Sequence, residues 1–536
     1  MTQLDAPDAA PIVGGGLDVA GWCLVAFAFL LPVAVWTTGY SAFLVPKTAV
    51  GLVALGPGLV MLGRLVVRGD RTARWAVAFL AAATLATLLA DEPLMAAVGT
   101  YNWFNGLWFV ALCVGVWALG RAARGRARRI ETALLLGAGV NALWAWAAST
   151  GKIDYVLFGL FQGRPLGLMP NPVYLGALCV AGLWLAMGRE RAAKPWSPWL
   201  LTVVLLIGAV ELSGTRTAGA AALVAVVWCA VRYLRRSEPT RAAVLVAAVL
   251  LGFFLAQLPA KVDDTGTSRL SGDSSRGLSG RLSTWGDALD AVTDRPLFGF
   301  GPGRTMVAVS GRTPLAVAQT EGPQNYFTDA HNVFVEVLTT TGVIGFAAFL
   351  GWLVGAFRRS RGPLLGFVVL GGSVLLLEPT GPAFAPLLAF ALGVAACDAV
   401  PAVDLGARGS PWVQFLSVGL AVLGAIAGFG LMLGDAQYLD AQREQSAAPL
   451  DVVDTVWPPW PKSPRFRAIL DHNQADATHD SHGGVLALRE ARRALDRDRA
   501  DPLSWEIVGQ LEERWGSPAR ARRAHVETLR RLPWSP

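Results

Sequence analysis

An all-α, polytopic transmembrane helical bundle is the fold class that the sequence predicts, on three observations. The 536 residues are 53% hydrophobic and only 16% charged, against about 25% charged in a soluble domain. Apolar runs close to the ~20 residues that cross a bilayer recur about 12–13 times. The arginines between those runs cluster on one side, as the positive-inside bias requires. At a mean hydropathy of +0.45, the net charge of +7 belongs to that bias and not to a nucleic-acid partner.

In order, the runs lie at 19–37, 42–63, 75–91, 103–120, 130–149, 173–188, 197–212, 216–234, 241–259, 332–356, 364–378, 383–399 and 413–433. Residues 1–18 contain no Lys or Arg, and the first run is followed directly by others. It therefore reads as a first span and not as a cleavable signal peptide. Arg64, Arg68, Arg71 and Arg74 follow the second run, and Arg121, Arg124, Arg126, Arg128 and Arg129 the fourth. Arg189, Arg191 and Lys194 follow the sixth, Arg232, Arg235, Arg236 and Arg241 the eighth, and Arg358, Arg359 and Arg361 the tenth. Every cluster follows an even-numbered run. The expected topology is a cytoplasmic N-terminal tail (1–18), a bundle (19–433) in the inner, cytoplasmic membrane, and an extracytoplasmic tail (435–536). The large loop 260–330 then lies on the outer face.

That loop opens on the Gly/Ser/Asp-rich DDTGTSRLSGDSSRGLSG, which suits mobile coil. SGRLSTWGDALDAVTD then reads as a short amphipathic helix with Leu282, Trp285, Leu289 and Val292 on one face. GFGPG needs glycine's backbone freedom and reads as a tight turn at the membrane surface. Trp103, Phe104 and Trp108, opening the fourth run, read as an interfacial aromatic belt. The five cysteines fall within or at the ends of apolar runs, so neither a disulfide framework nor a metal site is expected.

Charged and titratable groups at a membrane edge need a reason. The outer face collects Arg164, Arg216, Arg281 and His331 from separate loops. Arg216 lies in SGTRTAG between two runs; an outward arginine runs against the charge bias, which favours a function over snorkelling. Arg281 by itself reads as a solvated charge or an ion-pair partner. His331, between Asp329 and Asn332, reads as a capping or satisfied polar residue until its arginine company is counted. With that company, an unperturbed pKa near ~6.5 suits proton transfer. Several outward arginines predict an anionic ligand, since guanidinium forks bind phosphate oxygens in pairs. A lipid-linked pyrophosphate meets that description, with a base such as His331 activating a sugar hydroxyl. Glu378, at an outer helix end, could hold an arginine in place. No DxD-type pair or His/Cys cluster appears in the outer loops, so no divalent-metal site and no cofactor are expected.

The string R-x3-W…PLFGFGPG…HN…TGVIGF resembles the signature of the O-antigen ligase/polymerase superfamily of bacterial membrane proteins. SGTRTAGAA is similar to that family's arginine turn, and GRPLGLMPNPVYLGA to its Asn-Pro-containing loop, so the likeness covers about 160–350 in the expected order. What the resemblance implies is a metal-independent glycosyltransferase with an undecaprenyl-pyrophosphate-linked glycan as donor and a glycan, lipid or protein acceptor. Position by position, Arg216 and Arg281 match the pyrophosphate-binding arginines and His331 the base. Arg164, Lys47, Trp285 and Asn332 are the substrate-binding candidates; Lys47 reads equally as a snorkelling lysine. The family includes ligases, polymerases and protein O-glycosylating enzymes, and the loop motif does not choose among them. A transporter or flippase of lipid-linked glycan is the alternative of another class, but alternating access predicts midplane charges and repeated halves. A membrane scaffold would leave Arg216 and His331 idle. In the tail, LALREARRALDRD and PLSWEIVGQLEERWGSPARARRAHVETLRRLP resemble a tetratricopeptide unit, which implies a protein partner. Deleting 435–536 is accordingly expected to alter acceptor choice or efficiency more than the chemistry, measured as glycan transfer by truncated protein; unfolding of the membrane part would show a structural tail instead.

Overall fold

The computed structural model describes residues 19–101, 103–151, 160–161, 163–188, 198–258, 275–312, 315, 318–319, 327–378, 380–396, 411–457 and 460–534. Residues 263–274 of the Gly/Ser-rich coil, and Cys397, lie outside them. The described residues are mostly helical, with one short hairpin of two-residue strands, β1 (Leu160–Phe161) and β2 (Arg164–Pro165), and an isolated bridge between Ser360 and Ala396. The first half carries α1 (Val19–Val33), α2 (Leu44–Val67), α3 (Arg71–Leu88), α4 (Pro93–Val98), α5 (Leu107–Ala122) and α6 (Ala127–Ser149). After the hairpin come α7 (Pro172–Met187), α8 (Pro198–Leu212), α9 (Arg216–Arg235) and α10 (Pro239–Leu255). The loop region holds α11 (Ser275–Val292) and α12 (Thr305–Val309). The bundle closes with α13 (Val333–Arg358), α14 (Pro363–Val374), α15 (Ala385–Val394) and α16 (Pro411–Glu444). The tail contributes α17 (Leu450–Val456), α18 (Lys462–Thr478), α19 (Ser481–Arg497), α20 (Pro502–Trp515) and α21 (Pro518–Arg531).

Each apolar run of the sequence carries a helix, because a helix satisfies its own backbone where no water can. Among the described residues five helices (α2, α6, α9, α13 and α16) are long and apolar enough to cross a membrane, and α1, α5, α7, α8, α10, α14 and α15 are shorter apolar helices. Their starts are set locally. Asp70 caps α3 by accepting from Ala73 N at 3.0 Å, Asn171 caps α7 through Val173 N at 2.9 Å, and prolines open α7, α10 and α14. At the arginine-rich end of the bundle the buried Asp70 carboxylate receives Arg121 at 3.1 Å and Arg359 at 3.4 Å. The loops discussed below sit at the opposite end of α13.

There α13 is broken. Gly342 leaves the helical region at φ 64°, ψ −173°, which frees carbonyls and amides of the preceding and following turns. The PLFGFG segment enters the break and takes them up: Phe300 N donates to Thr339 O at 3.2 Å and Gly301 N to Thr340 O at 2.9 Å. In return Val343 N donates to Pro296 O at 2.9 Å. Gly299, Gly301 and Gly303 all have positive φ, so the turn expected from GFGPG is also a plug in a helix.

The loop helix packs differently from the expected apolar stripe. Leu282 and Leu289 are 53% and 46% exposed, whereas Thr284, Ala288 and Ala291 are buried. Small residues win this face because α11 lies close enough to α13 for Thr339 Oγ1 to donate to Ala288 O, at 3.4 Å. Phe104 likewise leaves the expected aromatic belt. A positive φ of 49° turns it inward, where it meets Tyr101 and the tail's Trp460 edge to face.

The tail is continuous with the bundle, since α16 runs from apolar sequence into the polar region without interruption. Helices α18 to α21 pack in succession around Leu488, Leu495, Val508 and Leu511. Lys462 sets the dock, its ammonium lying 3.9, 4.6 and 5.1 Å from the ring centres of Tyr40, Tyr101 and Tyr438. Trp460 Nε1 adds a bond to Gly99 O at 2.8 Å.

A Cβ at Gly342 would overlap the carbonyl group of Leu297, in addition to the strain of its positive φ. Gly342→Ala should therefore lower stability by about 3 kcal/mol or more. Gly286→Ala, with open space around the new methyl, should be neutral or stabilising by about 0.5–1 kcal/mol. Thermal unfolding of detergent-purified variants checks this; equal melting temperatures would disprove the plugged break.

Candidate functional site

His331 is held by its neighbours more than by its own helix. Its ring Nδ1 lies 2.9 Å from Asp329 O and its backbone N 2.6 Å from Asp329 Oδ1, at φ 54°. A carbonyl oxygen only accepts, so Nδ1 carries the proton and Nε2 keeps the lone pair. Burial, with the Arg281 cation nearby, lowers the imidazole pKa to about 4, against the opposing bond to Asp329. The ring is therefore neutral above that value, and it is a weaker base than the ordinary imidazole that the sequence suggested. Asp329 is itself fully buried, bonded by Thr380 N and Oγ1 at 3.4 Å each. Burial, and then the Glu336 carboxylate, raise its pKa well above the ordinary aspartate value.

The segment before the imidazole is pinned from three sides. Ala330 N donates to Glu336 Oε2 at 2.9 Å, an oxygen that also accepts from Thr305 Oγ1 at 2.7 Å. Ala330 O accepts from Trp285 Nε1 at 2.8 Å. Asn332 caps α13, its Oδ1 accepting from Phe334 N at 2.9 Å and Val335 N at 3.3 Å. Trp285 and Asn332, expected as substrate contacts, thus spend these groups on the loop that carries His331.

Arg281 pairs with Glu378, Nη2 to Oε1 at 2.6 Å, with the arginine partly exposed and the carboxylate buried. Glu378 is therefore the partner that the sequence allowed without showing. Arg164 and Arg216 form a second group. Arg164, buried on β2, donates from Nη1 to Ser213 O at 3.4 Å, within the turn that leads to Arg216. Arg216 is the first residue of α9 and half-buried. A helix N-terminus carries unsatisfied N–H groups and a positive dipole end. The start of α7 joins the two groups: Thr215 Oγ1 donates to Pro172 O at 3.4 Å, and two residues on Tyr174 has Asp329 and Glu378 as electrostatic neighbours. Lys47 does not snorkel: it is fully buried and donates to Ala34 O, after α1, and to Leu168 O, in the loop before α7, both at 2.7 Å.

Beneath the loop runs a cleft of about 490 Å³ between α3, α5 and α13 to α15. Phe79, Phe109, Trp352 and Leu388 give it apolar walls, and Asn105, Glu336 and Thr380 a polar mouth. Asn105 is 5% exposed, and neither atom of its amide has a hydrogen-bond partner among the described residues. A buried amide left so is costly unless a ligand completes it.

Glu336, Thr305, Tyr174 and Asn105 escaped the sequence reading. Only Glu336 left a signal, being a carboxylate inside an apolar run. Comparison with known proteins comes to the same region. Residues 201–350 match the O-antigen ligase family, a stretch that holds Arg216, Arg281, Trp285, His331 and Asn332. A general O-oligosaccharyltransferase of Acinetobacter baylyi is 26% identical over 212 residues, covering 37% of this chain and 34% of that protein. The chain thus matches about a third of that relative's length.

NMR titration of the five histidines, with His331→Gln to assign the signal, should place His331 near pH 4. Arg281→Gln should raise it by removing the neighbouring cation. An ordinary midpoint near ~6.5 in the wild type would contradict the buried, neutral imidazole.

Proposed function

We propose that this chain, whose residues 201–350 match the O-antigen ligase family, transfers glycan from an undecaprenyl-pyrophosphate donor to an acceptor hydroxyl at the outer face of the inner membrane. The observation that carries the reading is a neutral, oriented imidazole with Arg281 beside it, above an apolar cleft, with Arg216 in a second arginine group reached through the start of α7. The acceptor oxygen attacks the anomeric carbon of the donor sugar while His331 Nε2 takes its proton. The bond from that carbon to the pyrophosphate oxygen breaks, and lipid pyrophosphate leaves with the bonding electrons. Negative charge gathers on the leaving group, where Arg281 and Arg216 would hold it.

Each candidate has a role suited to its place. Glu378 holds Arg281 through one N–H, leaving the other donors of the fork for phosphate oxygens. Arg164 braces the Arg216 turn, and Lys47 ties α2 to the loop before α7; both position the site in this reading. The cleft, with Asn105 at its mouth, accommodates part of the apolar carrier. The tail, read as tetratricopeptide-like, presents a surface for an acceptor or partner protein. The activity for which the Acinetobacter relative is named, oligosaccharyl transfer, favours transfer of a finished oligosaccharide over stepwise polymerisation.

Arg216→Ala, Arg281→Ala and His331→Ala should each lower transfer by about 10²–10³-fold or more, with expression intact. Full activity in both arginine variants would sink the pyrophosphate clamp. Mass spectrometry of surface glycans from cells lacking the protein separates the modes: full chains stranded on the carrier mean ligation, short chains on the final acceptor mean polymerisation.

A further inference from the structure

The short helix α12 lies in the loop between the plugged break and His331, and the tail grips it at both ends. Before its start, Arg304 is 1% exposed, and both of its terminal nitrogens are engaged. Its Nη1 donates to Asp498 Oδ2 at 3.0 Å and its Nη2 to Asp498 Oδ1 at 2.9 Å, a bidentate fork on a tail residue 194 positions away. Nη2 also reaches Glu92 Oε2 at 3.0 Å. Past the end of α12, Gly311 N donates to Arg531 O at 3.1 Å. Asp498 is buried too, at the C-terminal end of α19, and steadies its own turn by accepting from Ala500 N at 3.1 Å.

The grip leads to the imidazole in few steps. Thr305 follows Arg304 directly, and its hydroxyl donates to Glu336 Oε2 at 2.7 Å. The same oxygen accepts Ala330 N at 2.9 Å, and Ala330 precedes His331. Thr305 and Ala330 are fully buried and Glu336 nearly so, so a displaced Arg304 has no slack in which to be absorbed. Bidentate guanidinium–carboxylate pairs fix geometry as well as charge, which is what a distant brace of a reacting group requires.

We propose that Asp498 of the C-terminal tail is a positioning residue for the transfer reaction, holding Arg304 so that Thr305 and Glu336 keep the His331 loop in its reactive arrangement. This rests on the transfer reading above. It differs from the sequence-based expectation for the tail, because it makes the tail part of the chemistry and not only of acceptor choice.

The test uses full-length protein reconstituted in vesicles, with Asp498→Asn, Asp498→Glu, Thr305→Val and, as control, Glu513→Ala at an exposed tail pair with His525. Two readouts are taken: kcat and KM for lipid-linked glycan, and amide exchange of peptides spanning 327–336. Asp498→Asn and Thr305→Val should each lower kcat about tenfold, leave KM within about twofold, and speed exchange at 329–331 about tenfold. Asp498→Glu, which keeps the charge, should fall between them and wild type, and it carries the comparison if Asp498→Asn does not fold. Glu513→Ala should match wild type in both readouts. Unchanged exchange in the Asp498 variants overturns the proposal, whatever transfer does, and so does a raised KM at unchanged kcat. Wild-type protein that transfers no glycan refutes the transfer reading instead, while the exchange readout still decides whether the tail orders the loop.

Discussion

The arrangement depends on one backbone exchange, the insertion of PLFGFG into the break of α13. A helix interrupted at Gly342 exposes carbonyls and amides that a membrane interior cannot hydrate, and the plug supplies partners from a segment about forty residues earlier. The consequence reaches well beyond the break. The plug fixes where α11 ends and where α12 begins, and these bring Trp285 and Thr305 to the segment before His331. Three positive-φ glycines are the means, because a side chain would meet α13 at Gly299, α4 and the residues before it at Gly301, and the α4–α5 connection at Gly303.

Around that frame the site is organised by buried carboxylates. Asp329, Glu336 and Glu378 are each removed from water, a cost that only full hydrogen bonding or ion pairing offsets. Each meets it by holding something else: Asp329 the His331 backbone, Glu336 Thr305 and Ala330, and Glu378 Arg281. The acids hold backbone and side chains in place, and the imidazole stays neutral beside an arginine because burial and that cation both disfavour its protonation.

The tail completes the frame from the other side. Lys462 in its aromatic cage and Trp460 on Gly99 O dock it to the loops at one end of the bundle. Arg304 and Asp498 then form a charged bridge that both sides bury.

By itself the sequence determined the apolar helices and named the candidates for the site. Thirteen apolar runs near membrane length each carry a helix, whereas the short helices α4 and α12 were not legible. Arg216, Arg281 and His331 stood out because charge beside apolar sequence is costly. Asn332 was legible as a polar residue at a helix start, though its work as a cap was not. Only the tertiary structure decided what those groups touch. Glu378 is 97 residues from Arg281 and Asp498 is 194 from Arg304, and no local periodicity encodes such pairs. The exposed Leu282 and Leu289 show the same limit: a helix presents more than one usable face, and the closeness of its neighbour chose the small residues. The sequence sets the price of leaving a group unpartnered; which partner meets it is settled by how the helices pack.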